Sequence, residues 1–354
     1  MFFYSAIFRF SKYFIPFFLT VSPFYLEYPS KKEPTIQDFE TIDQMLDSCL
    51  IENRLTEIYN HEKNLCGINQ DHFFNLFYHS VLERIGIARR MRLTDPLKLE
   101  QPTKQLIKIN RGGKNLVVSC VGLGKRRPKG LIARLQTSLE KTGFDGYLYY
   151  RIGGYPTPRG LELNLSATPY AFKIFLMEEA KQLGFKTILW VDARLVALKN
   201  ITPLFSIIQD TGGLFNLTHT MEKNNIFLQA QKAILNLTKT VYENNRALAT
   251  PVFGLNMDLK EVENLIDGFY AASYLGTPFF SCYPEEIVLS ALIEKHFPRA
   301  TFLNELYPEI WKKLYLYSPN AKMDQKLAVF AKSKHFYFFG ISNEGASSPS
   351  LLED

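Results

Sequence analysis

The sequence predicts an α/β fold with a parallel sheet at its centre, on three observations. Residues 115–191 alternate strand-like and helix-like patterns, the run Thr187 to Val191 is apolar and uncharged, and Asp192 follows that run directly. Strand, helix, strand, helix, strand in succession implies parallel strands joined by crossover helices. A short apolar run bounded by polar residues reads as a strand buried on both faces. A carboxylate just past its C-terminal end stands where open α/β sheets place ligand chemistry; an Asp that merely starts a turn is the other reading.

Composition sets the bounds. The chain has 354 residues, enough for one large domain or two ordinary ones. A hydrophobic share of 46% and a charged share of 21% permit a sizeable core. The formal net charge of +6 is mild for this length. By itself it does not point to nucleic acid, and no nucleic-acid partner is expected; it is compatible with an anionic ligand such as a nucleotide diphosphate or a phospholipid head group. Cys49, Cys66, Cys120 and Cys282 lie far apart with no CxxC pair. That spacing argues against a clustered zinc site and a dense disulfide scaffold. Cys120, inside an apolar run, is expected as a small core residue.

Four regions follow from the chain in order. Residues 1–26 place Arg9 and Lys12 before an uncharged stretch from Tyr13 to Leu26, the layout of a secretory signal or membrane anchor. Pro16 and Pro23 interrupt it, and it is shorter than the ~20 residues of a spanning helix. Export or membrane attachment stands beside a second reading, an aromatic segment packed on the body. Residues 27–100 form a helical N-terminal extension, opened by a Pro-and-charge linker at 27–35 and carrying amphipathic patterns from Ile42 to Leu50 and from Asp71 to Ile87. His72 and His79, seven apart, read as surface histidines, because a helical metal pair wants a spacing of three or four. Residues 93–114 look like a polar boundary, residues 101–341 hold the α/β domain, and 342–354 read as a disordered tail.

Within the α/β domain, Asn115 to Val121 is a strand, Leu131 to Lys141 a helix and Gly146 to Ile152 a second strand. The Gly122-Leu123-Gly124 loop is followed by Lys125, Arg126, Arg127 and Lys129. It matches neither GxGxxG nor the P-loop pattern. Two readings stay open: cations set beside a diphosphate, or an ordinary solvated loop. Thr168 to Leu183 reads as a helix with Pro169 in its first turn, stopped by Gly184. Further helices are expected from Thr202, over most of 220–249, from Lys260 to Tyr274 and from Glu285 to His296. Strands are expected at Leu214–Leu217, Pro251–Met257, Phe302–Leu306, Trp311–Tyr317 and Phe336–Phe339. Sequons occur at Asn164, Asn200, Asn216 and Asn236, a short pattern with meaning only in a secreted eukaryotic protein.

Three stretches together resemble glycosyltransferases of the GT-A fold, and among them the family-8-like bacterial sugar transferases. They are Thr168-Pro169-Tyr170-Ala171-Phe172-Lys173; Ile188-Leu189-Trp190-Val191-Asp192-Ala193-Arg194; and Pro284-Glu285-Glu286-Ile287-Val288-Leu289-Ser290. The resemblance spans roughly residues 115–300. It implies a mixed, mostly parallel sheet flanked by helices. It also implies transfer of a sugar from a nucleotide-diphosphate sugar to a glycan, lipid or protein acceptor. The family's Asp-x-Asp becomes Asp-Ala-Arg here, so Arg194 stands where the last metal-binding carboxylate would be. By resemblance Asp192 is a catalytic residue and the ligand of a Mn²⁺ or Mg²⁺ ion, and Glu285 and Glu286 approach the sugar or acceptor. Glu286 stands where the family has an amide; as a carboxylate it reads either as a second catalytic group acting as a base or as an acid at a helix N-terminus. The expected donor-binding set is Lys173, Arg194, Asn256, Gly254 and Arg126. Arg194 allows three readings: a diphosphate clamp replacing the metal, a bystander to an Asp192 that binds metal or donor hydroxyls, or a mark of lost catalysis. A non-catalytic, membrane-associated nucleotide-sugar or glycan-binding protein on the same fold is the alternative function.

Overall fold

The computed structural model describes residues 103–121, 128–153, 156, 158–159, 170–220, 228–239, 246–279, 284–297, 303–318 and 324–341. The expectations for residues 1–100, for the 342–354 tail and for the loop holding Arg126 lie outside them. In chain order the elements are β1 (Thr103–Ile109), β2 (Asn115–Val121), α1 (Pro128–Lys141), β3 (Gly146–Ile152), α2 (Phe172–Lys181), β4 (Thr187–Val191), β5 (Leu195–Ala197) and α3 (Thr202–Thr211). Then come β6 (Gly213–Leu214), β7 (Leu217–Thr220), α4 (Leu228–Thr238), β8 (Arg246–Leu248), β9 (Val252–Asn256), α5 (Lys260–Leu275) and α6 (Pro284–His296). Two single-turn helices, α7 (Leu303–Leu306) and α8 (Pro308–Trp311), precede β10 (Tyr315–Ser318), α9 (Asp324–Ser333) and β11 (Phe338–Ile341). Among these described helices none is long and apolar enough to cross a membrane.

Six strands form the main sheet in the order β1-β3-β2-β4-β9-β6. The expected parallel core is β3-β2-β4. The sheet as a whole is mixed, because β1, β9 and β6 each pair antiparallel with their neighbours. β2 and β4 are nearly all apolar because both faces of the sheet are covered. Leu116, Val118, Ile188 and Trp190 point into one core with α2, α4, α5 and α6. Val117, Val121, Leu189 and Val191 point into the other, with α1 and α3. A second sheet, β10-β11-β5, grows from the end of β4. Its outer face is covered by Ala328 and Ala331 of α9.

Several elements differ from expectation. The polar stretch before residue 115 holds β1, an edge strand whose residues are mostly exposed, so no buried alternation marks it. Among the described residues of 220–249 the helix is α4, and Thr220 and Arg246 to Leu248 belong to the ladder β7–β8. Of the strand expected at Phe302–Leu306, the described residues Leu303–Leu306 form a helical turn instead, the Leu303 N–H donating to Phe215 O at 3.0 Å and its carbonyl accepting Tyr307 N–H at 2.9 Å. Trp311 closes α8, which Pro308 opens, and the strand begins only at Tyr315. Leu214 to Leu217 is split between β6 and β7. Gly212 ends α3 with φ 86°, a left-handed conformation that lets its N–H cap Ile208 O.

Candidate functional site

The site lies past the C-terminal end of β4, on the α2/α6 side of the sheet. All five β4 residues are buried. Asp192 N–H prolongs the ladder by donating to Pro251 O at 2.9 Å, and Asp192 O accepts Leu195 N–H at 2.9 Å, closing the turn that leads into β5. The Asp192 carboxylate is oriented from below. Trp190, buried against Phe172 and Phe253, donates its indole N–H to Asp192 Oδ1 at 3.0 Å. An indole N–H inside a core needs an acceptor, and here the acceptor is the carboxylate at the strand end.

Two other elements converge on this point. α2 contributes Lys173, 5% exposed in spite of its charge. Its ammonium donates to Glu285 Oε1 and Thr250 Oγ1, each at 2.8 Å, and lies 3.8 Å from Asp192 Oδ1. α6 is buried over most of its length and opens with Glu285 and Glu286. Carboxylates in a first helical turn are favoured by the dipole and the unpaired N–H groups there. Thr250, on the short link from β8 to β9, joins the two acids: its Oγ1 lies 2.7 Å from Glu285 Oε1 and 3.1 Å from Glu286 Oε1. Its backbone N–H also donates to Glu286 Oε1 at 3.2 Å.

The electrostatics divide the acids. Burial would push the Lys173 ammonium down, but Asp192 and Glu285 outweigh it and the net shift is upward, so it stays charged. Burial, and next the neighbouring Glu285 carboxylate, push Glu286 up to about 8. At neutral pH Glu286 therefore keeps its proton, while the Lys173 ammonium faces Asp192 and Glu285. Tyr315 of β10 faces the same cluster: burial first, then the charges of Glu286 and Asp192, push its phenol upward.

The expected site residues fall into four groups. Lys173, Asp192 and Glu286 are brought together, with Glu285 between them. Arg194 is exposed, two residues along the turn from Asp192. Asn256 and Gly254 are not at this site. Asn256 pairs with Thr187 at the far end of β4, about 16 Å along the strand from Asp192, and its Oδ1 accepts Asp258 N–H at 3.3 Å. Gly254 is required by packing: a Cβ there would stand 2.2 Å from Ile208 Cδ1. Arg126 lies outside the described residues. Thr250 and Tyr315 were not expected. A lone Thr before a Pro, and one Tyr among many, carry no signal in the sequence.

A second buried ion pair borders the first. Arg151, at the end of β3, donates to Glu179 Oε2 of α2 at 3.0 Å. Glu179 also accepts the Tyr149 hydroxyl and lies 3.3 Å from Lys104. Cys120, beside Arg151 in the β2–β3 register, is partly buried against the core as expected. Burial raises its thiol to about 12 against the opposing pull of Arg151, which leaves it an inert core group.

The oxygens expected to hold Mn²⁺ or Mg²⁺ do not fit a bound ion in this arrangement. The space between Asp192 and Glu285 contains the Lys173 ammonium. Among the described residues no group of three or more His, Cys, Asp or Glu side chains is placed to hold a metal.

No protein-family model and no curated protein matches the chain. Solved structures do match. One of them is the apo crystal structure of mouse xyloside xylosyltransferase 1, at 11% identity and a TM-score of 0.34, covering 64% of this chain and 84% of that one. At that score the likeness is too loose to transfer topology or residues.

Proposed function

We propose that the chain is a glycosyltransferase that moves a sugar from a nucleotide-diphosphate sugar to a glycan, lipid or protein acceptor. One observation carries this reading. The three stretches that resemble the family-8-like enzymes, far apart in sequence, supply Lys173, Asp192 and Glu285, which meet within hydrogen-bonding or ion-pair distance. They meet past the C-terminal end of a central strand, where α/β sheets bind ligands.

The chemistry follows from the charges. Departure of a nucleoside diphosphate builds negative charge, which fixed cations stabilise. Arg194 on the exposed side of the turn is the group for the diphosphate, with the planar fork suited to phosphate. Asp192, held by Trp190, is the acceptor for donor hydroxyls. Glu286, pushed up to about 8 by burial and the Glu285 carboxylate, serves as general base toward an acceptor hydroxyl once it has given up its proton, on the alkaline side of neutrality. Residues 1–26 fit the same reading as a membrane attachment that brings the enzyme to a lipid-linked acceptor.

The test is a thermal-shift screen of uridine and guanosine diphosphate sugars, with and without Mn²⁺, followed by transfer assays of Asp192→Ala. The expected outcome is stabilisation by one donor class and loss of transfer in the variant. Activity unchanged by Asp192→Ala would remove the catalytic assignment. Binding without turnover would favour the non-catalytic alternative, and no binding under any condition would end the donor reading.

A further inference from the structure

We infer that Lys173 is a resident cation in a cage of oxygens of the kind that binds a divalent metal, so that the cluster takes its anionic ligand without one. Four oxygens surround the Lys173 ammonium. Glu285 Oε1 and Thr250 Oγ1 lie at 2.8 Å, the Thr250 carbonyl at 3.4 Å and Asp192 Oδ1 at 3.8 Å. Two carboxylates, a hydroxyl and a carbonyl are the donor set of a hard cation such as Mg²⁺, Mn²⁺ or Ca²⁺. The aromatic faces of Tyr170 and Trp190, 5.4 Å and 5.8 Å from the ammonium, add the attraction of π-systems for a cation.

An ammonium suits this cage. It is a compact point charge with three donors, and it reaches the acids from a helix that supplies none of them. Because Lys173 is 5% exposed, its charge is spent on Asp192 and Glu285 and not offered to solvent. Its effect on a bound anion is indirect: it offsets one of the two carboxylate charges that would otherwise repel a phosphate. Arg194 is then the cation that meets the anion directly. The inference deepens the donor reading, and depends on that reading only for the identity of the anion.

The test uses the full chain and MnCl₂ alone, with free Mn²⁺ followed by electron paramagnetic resonance. Wild type is expected to leave Mn²⁺ free up to about 1 mM. Lys173→Met, which keeps the stem and removes the charge, is expected to take up one Mn²⁺ per chain, roughly tenfold or more tighter than wild type. That uptake should vanish in Lys173→Met/Asp192→Asn. Stoichiometric Mn²⁺ uptake by wild type that Asp192→Asn abolishes would overturn the inference, as would a folded Lys173→Met that binds none. If Lys173→Met fails to fold, the wild-type and Asp192→Asn titrations decide alone: uptake dependent on Asp192 overturns the inference, and its absence supports it. A second arm measures uridine diphosphate binding to wild type by calorimetry, in chelator and in Mn²⁺. Equal affinities are expected, and a tenfold gain with Mn²⁺ would also overturn the inference. If uridine diphosphate binds in neither condition, the donor reading fails while the Mn²⁺ titrations still judge the cage.

Discussion

Replacing Glu286 with Gln isolates the proton that the cluster stores. Gln keeps the shape and an oxygen in reach of the Thr250 N–H and hydroxyl, which lie 3.2 Å and 3.1 Å from Glu286 Oε1, and removes only the ability to ionise. Below the ordinary glutamate value of 4.5, Glu286 carries its proton in the folded and unfolded chain alike. Glu286→Gln should then match wild type. From 4.5 to about 8 the unfolded chain releases that proton and the folded chain retains it. The folded state binds more protons there, so wild-type stability falls as pH rises, and above about 8 the loss is complete. At about 1.4 kcal/mol per pKa unit the ceiling is about 5 kcal/mol; solvent reaching this half-buried carboxyl and adjustment of Lys173 reduce it to ~2 kcal/mol. The assay is denaturant unfolding of both proteins at intervals from pH 4 to pH 9. The variant should gain on wild type progressively through that window and level off above it. A difference that stays flat with pH, or one that grows toward acid, would refute the argument that Glu286 is held protonated.

Two further substitutions test other parts of the structure. Gly254→Ala puts a Cβ 2.2 Å from Ile208 Cδ1 and 3.3 Å from the Ile188 carbonyl. It should cost about 1–3 kcal/mol in chemical denaturation, and Ile208→Val, which removes the nearest atom, should restore part of that. Weakened nucleotide-diphosphate binding with unchanged stability would instead return Gly254 to the donor site. Glu179→Gln leaves the Arg151 guanidinium buried without its counter-charge and should cost ~3–5 kcal/mol. The pair Glu179→Gln/Arg151→Met should cost less than the single change, as read from unfolding midpoints.

The legible parts of this sequence were those with a one-dimensional signature. β2 and β4 were readable because burial on both faces leaves an uninterrupted apolar run, and Asp192 because it breaks that run. Helix α3 was readable from Pro203 in its first turn and the Gly212 stop, and α6 from the two acids in its first turn. β1 was hidden because an edge strand keeps its polar residues. β8 was hidden because three residues within an apparent helical pattern pair only with a distant partner. At the site, Lys173, Asp192, Glu285 and Glu286 were visible as residue types in motifs. Their division of labour was not, since it depends on which carboxyl faces an ammonium and which faces another carboxyl. Asn256 and Gly254 show the converse: they sit on a strand beside β4, but an antiparallel strand carries its C-terminal end away from the edge that holds Asp192.

The Asp192–Arg194 turn joins two sheets. β4 belongs to the large one, while Leu195 to Ala197 pair with Gly340 to Phe338 in the small one. β11 comes from near the end of the chain and is braced by β10 and α9. The turn is therefore a seam, with Asp192 at its large-sheet end and Arg194 at its small-sheet end. A ligand that engages both residues would act as a clamp across that seam. β10 and β11 would then share in its binding energy, with Tyr315 as a side chain near the acids, and the affinity of the front of the site would report on the seating of β11.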